Sequence, residues 1–282
     1  MLDYLETKLN WEHPKMVSVI DDMPLWSAPF GFMLLDRIPF EPGMTVLDVG
    51  FGTGFPLLEI AQRLGNKSAV YGIDLTHTAA ARTRQKARAL DIKNVTVVQG
   101  DASNMEFADD TFDLIVSNTG VNNFENPQAV FKECFRVTKP GGHIALTTNP
   151  RGHMREFFRV FEDTLNALKM DHLSANLQAH IDHRHTPAAI CSMLEEAGFH
   201  ISKSDKSSFY LRFLDGSAFL NHHLIRYGFL DAWKAMIPPE DLERVFSHLE
   251  ENLNREAKQQ GELKIFIPVA YIEAHTAPTL SS

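Results

Sequence analysis

VLDVGFGTGFP, residues 46–56, places glycines at positions 50, 52 and 54 directly behind an apolar run that contains Asp48. Glycine loses more conformational freedom on folding than any other residue, so three at alternate positions imply that something approaches the backbone closely there. An apolar run, a glycine turn and then LLEIAQRL read as strand, tight turn and helix. In a doubly wound sheet that junction is a nucleotide-binding device, because the backbone can approach the ligand and the helix N-terminus favours negative charge. The dinucleotide fingerprint GxGxxG is not met, since the third glycine arrives one residue early, and the GxxxxGK[ST] phosphate loop is absent. The loop therefore points to a nucleoside-like ligand that need not carry a pyrophosphate.

Working outward, TVLDV (45–49), AVYGID (69–74), VTVVQ (95–99), FDLIVSN (112–118) and HIALTTN (143–149) read as strands. GFPLLEIAQRLG (54–65), TAAARTRQKARAL (78–90) and residues 127–137 read as helices between them, and KPGG as a turn before the fifth strand. Such alternation predicts a parallel sheet covered by helices on both faces. After Pro150 the alternation loosens. Met154, Phe157, Phe158, Phe161, Leu165 and Leu168 recur at helical spacing, and Thr186-Pro187 opens a helix that Gly198 ends. ISKSDKSSFYLRF (201–213) and ELKIFIPVAYIEA (262–274) read as two further strands. Between them, Leu242, Val245, Phe246, Leu249 and Leu253 form one helical stripe. The organisation expected is an N-terminal helical lid segment, 1–40, then an α/β domain, 41–282, with helical additions at about 151–185 and 217–260.

The charge balance, 27 basic against 36 acidic residues, disfavours broad contact with nucleic acid or an anionic membrane. Cys134 and Cys191 each fall in a helical pattern, which excludes a disulfide framework or a four-thiolate zinc site. The opening MLDYLETKLN lacks a secretory signal, and no apolar stretch of about 18 residues offers a membrane span. The simplest expectation is a soluble cytoplasmic protein.

Later strand ends carry acidic residues. Asp74 can accept hydrogen bonds from both hydroxyls of a ribose, as it would from a nicotinamide cofactor. Asp101-Ala102 suits the exocyclic amine of an adenine lying across the sheet edge. LDVGFGTG, GID, GDA, FDLIVSN and RVTKPGG, in this order within residues 45–149, resemble the class I S-adenosylmethionine-dependent methyltransferases. The resemblance is closest to the small-molecule branch that includes quinone- and sterol-type enzymes, the "type 11" group. It implies a Rossmann-like, doubly wound, mostly parallel seven-stranded sheet with an antiparallel last strand and helical lid insertions. It implies S-adenosyl-L-methionine as cofactor and S-adenosyl-L-homocysteine as product. Asp48, Gly50, Gly52 and Gly54 would hold the methionine moiety. Asp74 would bind the ribose, with Leu75 beside the adenine, and Asp101 and Ala102 would meet the adenine amine and ring edge. Asn118 would lie near the transferred methyl.

Methyl transfer from a sulfonium is a direct displacement that needs alignment and water exclusion, and a base only if the nucleophile arrives protonated. SNTGVNNF stands where amino-methylating nucleic-acid enzymes carry [DN]PP[YF], and neither cysteine follows a proline as in cytosine C5 enzymes. Arsenic methyltransferases rely on several loop cysteines, and catechol-type enzymes on strand-end carboxylates around a metal; neither set is evident. HIDHRH (His180, His183, His185) reads as polar loop or surface, and no metal is expected. The helix geometry lets at most one of His222 and His223 face a pocket. His153, after the fifth strand, is the candidate general base, and Trp26 and Phe30 are candidate acceptor contacts. Arg151, Arg155 and Arg159 read as a solvated helix face. Together these predict methyl transfer to a small, apolar or aromatic acceptor, with no nucleic-acid partner; a homodimer is compatible. Three alternatives stay open: a methyltransferase acting on a protein or RNA group, a non-catalytic S-adenosylmethionine-binding module, and, more distantly, a nicotinamide-dependent oxidoreductase.

Overall fold

Seven strands form one sheet in the order β3-β2-β1-β4-β5-β7-β6 in the computed structural model, which describes residues 2–6, 21 and 24–278. They are β1 (Thr45–Val49), β2 (Ala69–Asp74), β3 (Val95–Gln99), β4 (Phe112–Asn118), β5 (Thr138–Thr148), β6 (His200–Phe213) and β7 (Leu263–His275). The first five run parallel, and β7 pairs antiparallel with β5 from His143↔His275 to Thr148↔Ala270. The strand order reverses between β1 and β4, the switch point at which doubly wound sheets bind ligands beyond their carboxyl ends. β1 and β4 are largely apolar because both their faces are covered: Val46, Leu47, Leu114, Ile115 and Val116 are all buried.

Helices Leu57–Leu64, His77–Ala89, Pro127–Val137 and Pro187–Ala197 belong with this sheet. The Asn126 and Thr186 side chains accept from the Ala129 and Ala189 amides at 3.1 and 3.2 Å, and a proline follows each cap. Gly198, at φ +115°, ends the last of them. Cys134 and Cys191 lie in the third and fourth helices.

Two boundaries differ from the sequence reading. The first helix begins at Leu57 rather than Gly54, because residues 52–56 stay in turns with Gly54 at φ +104°. KPGG continues β5 instead of standing outside it. The register jumps there, from Phe112↔Thr138 to Leu114↔His143, and Gly141 at φ +77° absorbs the bulge. The insert at 217–260 divides into helices Gly216–Asn221, His223–Gly228, Leu230–Lys234 and Leu242–Gln260. His222 leaves helical geometry between the first two (φ −65°, ψ 135°), and its Nδ1 accepts from the Leu224 amide at 3.3 Å.

The chain divides into two compact units. A helical unit comprises residues 150–184 and 208–268 with the described residues 2–6. A sheet unit comprises Asp21 and residues 24–149, 185–207 and 269–278. The described part of segment 1–40 is thus shared: residues 3–6 form a 3-10 turn in the helical unit, while helix Pro24–Leu35 belongs to the sheet unit. The helical unit closes on an aromatic interior in which Phe157 stacks on Trp233 at 4.1 Å between centroids. The apolar stripe of helix Arg155–Ala167 and that of Leu242–Gln260 supply Phe161 and Phe246 to it, 5.9 Å apart. Among the described residues, no helix is long and apolar enough to cross a membrane.

Candidate cofactor and acceptor site

The glycine loop turns back on itself with Gly50, Gly52 and Gly54 at φ +78°, +56° and +104°. The Gly50 amide donates to the Ile73 carbonyl at 2.8 Å, and the Thr83 hydroxyl and Lys86 ammonium donate to the Gly52 and Thr53 carbonyls at 3.1 and 2.8 Å. A Cβ on Gly54 would meet Leu58 and Thr83 at 3.0–3.1 Å, so that glycine serves packing within the fold. A Cβ on Gly52 would meet nothing within 4 Å. Gly52 therefore faces open space in a left-handed conformation that side chains resist.

The acids gather beside it. Asp74 at the end of β2 accepts from the Gly52 amide at 2.9 Å and from the Thr76 amide at 2.8 Å, so it braces the loop. Asp48 is fully buried, and neither of its carboxylate oxygens has a hydrogen-bond partner in normal geometry. Burial, then the negative charge of Asp74, pushes its pKa up to about 8, and the Leu57 amide offsets only part of this. Leu75, next to Asp74, is 69% exposed, a large apolar side chain left open at a strand end. The Gly100 amide donates to the Asp74 carbonyl at 3.0 Å, which brings Asp101 and Ala102 next to Asp74. Asp101 is exposed; its carboxylate accepts from the Ser103 amide at 2.8 Å, which holds its pKa below the usual range. Since Asp74 holds the loop, Asp74→Ala is expected to weaken S-adenosylhomocysteine binding tenfold or more. Unchanged affinity by calorimetry would remove Asp74 from the site.

At the end of β4, Asn118 enters a network of neutral groups. Its Oδ1 accepts from the Thr147 hydroxyl at 2.7 Å and its Nδ2 donates to the Ser27 carbonyl at 3.2 Å. Alongside, the Thr148 hydroxyl donates to Asn122 at 2.7 Å, and Asn122 to Asn149 at 2.6 Å. Ser27 lies on helix Pro24–Leu35, whose Trp26 and Phe30 are buried with ring centroids 5.4 Å apart. Phe32 of the same helix is 62% exposed and packs edge-on to Phe55 at 6.3 Å.

In the helical unit, His153 is buried between Phe158 and Phe229 at 5.7 and 5.9 Å, and its Nδ1 has no hydrogen-bond partner. Burial first, then the charges of Arg184 and His180, pushes its pKa down to about 3. The imidazole therefore stays neutral at working pH. His180 is half-buried, edge-on to Phe158 at 5.7 Å, while His183 and His185 are exposed. Among the described residues, no group of three His, Cys, Asp or Glu side chains is placed to hold a metal ion. Arg151, Arg155 and Arg159 are half or more exposed; Arg151 and Arg159 pair with Asp182 and Glu256, and Arg155 lies 4.0 Å over the Phe266 ring.

The family profile described as a methyltransferase domain matches residues 40–198, which covers the glycine loop, the strand-end acids and Asn118. The chain belongs to the S-adenosylmethionine-dependent methyltransferase family. An arsenite methyltransferase of Halobacterium salinarum is 30% identical over 191 residues, covering 65% of this chain and 45% of that one. A demethylmenaquinone methyltransferase of Bacillus mycoides is 36% identical over 104 residues, covering 37% of this chain and 44% of that one. The chain thus spans about half the length of the curated relatives it matches. A solved S-adenosylmethionine-dependent methyltransferase of Aquifex aeolicus superposes with a TM-score of 0.53 at 23% identity, over 70% of this chain and 92% of that one, and shares the fold.

The family's cofactor fits the residues of this methyltransferase domain. S-Adenosylmethionine carries a sulfonium and an α-ammonium, and Asp48 is a buried carboxylate with no positive partner in reach of a hydrogen bond. Gly52 leaves room at the backbone, and Leu75 offers an open apolar surface. Sequence reasoning missed Phe55, Lys86 and the Asn122–Asn149 pair. Phe55 stands within the quoted loop, but the helix reading absorbed it. Lys86 gave no signal, since its partners Thr53 and Asp21 lie 33 and 65 residues away.

Proposed function

We propose that the protein transfers a methyl group from S-adenosylmethionine, by direct displacement, to a small apolar or aromatic acceptor. The observation that carries this reading is the combination, at one strand-to-turn junction, of an open Gly52 and a buried Asp48 carboxyl group with no hydrogen-bond partner in normal geometry. When bound, the cofactor supplies an electrophilic methyl on a positively charged sulfur. Asp48 and the loop backbone hold the methionine end, Asp74 the ribose, and Leu75, Asp101 and Ala102 the adenine. Asn118 faces the reacting centre with neutral amide and hydroxyl neighbours, so this part of the site orients an acceptor and offers no strong base.

Exposed Phe32, on the helix whose Ser27 carbonyl accepts from Asn118, supports an apolar acceptor, and Trp26 and Phe30 are buried residues of the same helix. His153 is a poor proton acceptor near neutrality, because burial so destabilises its imidazolium form. The acceptor best suited is one whose nucleophilic atom arrives unprotonated or readily ionised. An arsenic acceptor is poorly served: Cys134 is buried with its thiol pushed up to about 12, and Cys191 is half-buried in a helix.

Incubation with methyl-labelled S-adenosylmethionine and a metabolite extract tests the reading. Labelled small molecules are expected. Label confined to protein or RNA would replace the acceptor class, and binding without transfer would make the chain a cofactor-binding module.

A further inference from the structure

Helix Pro24–Leu35 is poorly suited to stand alone. It contains Pro29 and Gly31 in its interior, and each lowers helix stability there. Its buried Phe30, Met33, Leu34 and Leu35 anchor it in the core, and further contacts lie on the cofactor side of the sheet unit. A Cβ on Gly31 would come within 2.3 and 2.5 Å of two ring carbons of Phe55 and 3.4 Å from Asn118 Nδ2. One turn earlier, the Ser27 carbonyl accepts from the same Asn118 amide at 3.2 Å. Ahead of the helix, Asp21 pairs with Arg82 at 2.6 Å and with Lys86 at 3.0 Å, and the Lys86 ammonium also donates to the Thr53 carbonyl at 2.8 Å. Three contacts from residues 21–31 therefore end on the glycine loop, on its supporting lysine, or on Asn118.

We propose that Gly31 is a positioning residue whose missing side chain lets the Phe55 ring seat the N-terminal helix on the cofactor loop. Phe55 follows Gly54 directly, so its position is tied to the backbone that lines the cofactor. Displacing the ring disturbs the loop, and reshaping the loop unseats the helix. The joint is only partly buried: Phe55 is half-buried and Phe32, edge-on to it, is exposed. The joint thus lies at the edge of the core, while the same helix buries Phe30, Met33, Leu34 and Leu35. Coupling between two sites is reciprocal, so cofactor binding should order the helix by as much as helix seating favours the cofactor. This inference rests on the cofactor site proposed above.

Gly31→Ala separates the joint from a merely structural helix. Alanine is the better helix former, so a role confined to helix stability would leave binding unchanged or improve it. The joint instead requires that Gly31→Ala weaken S-adenosylhomocysteine binding at least about fivefold, with Gly31→Leu weaker still. Phe55→Ala alone should weaken binding as well, and adding either Gly31 substitution to it should cost little more, a non-additive cycle. Hydrogen exchange across residues 24–35 should slow when wild type binds S-adenosylhomocysteine and should not slow in Gly31→Leu. If wild type binds but Gly31→Ala binds equally well, or exchange in 24–35 ignores the ligand, the joint is overturned and the cofactor site survives. If wild type does not bind, both fall.

Discussion

Gly52→Val is expected to fold and to bind S-adenosylhomocysteine about a hundredfold more weakly than wild type, a loss of about 2.7 kcal/mol. The physical argument has two parts. The added side chain would project into space where no protein atom lies within 4 Å, so the fold does not collide with it. That same space is the approach to the loop backbone, so a ligand does. The backbone at φ +56° does resist a β-branched residue, at a cost of about 1–2 kcal/mol or somewhat more, which predicts a melting temperature lower by a few degrees. Circular dichroism and thermal melting check the fold, and calorimetry checks binding. A folded Gly52→Val protein with wild-type affinity would assign the loop another purpose. Gly52→Ala, with less strain, should lie between.

The second large effect comes from Asp48. Its folded-state pKa is raised, from 3.8 to about 8, so the folded protein holds a proton that the unfolded chain has released between those values. The corresponding stability is fully present below about pH 4 and is lost as pH rises toward 8, at up to about 1.4 kcal/mol per pH unit. Ligand-free wild type should therefore melt at progressively lower temperature from pH 5 to 8 relative to Asp48→Asn, which cannot ionise there. The cofactor should act in the opposite sense. A cationic ligand favours the carboxylate, so affinity in wild type should rise with pH up to about 8, and the rise should vanish in Asp48→Asn. Parallel melting curves for the two proteins across pH 5–8 would mean that Asp48 is not held protonated in the ligand-free fold.

Much of the architecture was written locally. The apolar runs of β1 and β4 announced strands covered on both faces, Thr186-Pro187 and Gly198 marked both ends of one helix, and GxGxG marked a loop whose left-handed turns favour glycine. Where local reading slipped, a backbone conformation was responsible. Gly54 at φ +104° keeps residues before Leu57 out of the helix, and Gly141 at φ +77° lets KPGG continue as a bulged strand. The candidate site was legible as a set of positions, Asp48 to Asn118, because each sits where a strand ends.

The sequence by itself determined the strand–helix order, the glycine loop and the identity of the acids at the strand ends, since each of these depends on dihedral preference and apolar periodicity over a few residues. Tertiary structure alone decided what those groups are able to do. Asp48 became a buried carboxyl group that keeps its proton, Asp74 a brace for Gly52, and His153 a neutral ring between two phenyl groups. Gly31 and Phe55, far apart in the sequence, came to meet beside Asn118. Charge state and contact depend on which distant segments exclude water from a group and which supply it a partner, and that is settled only when the chain has packed.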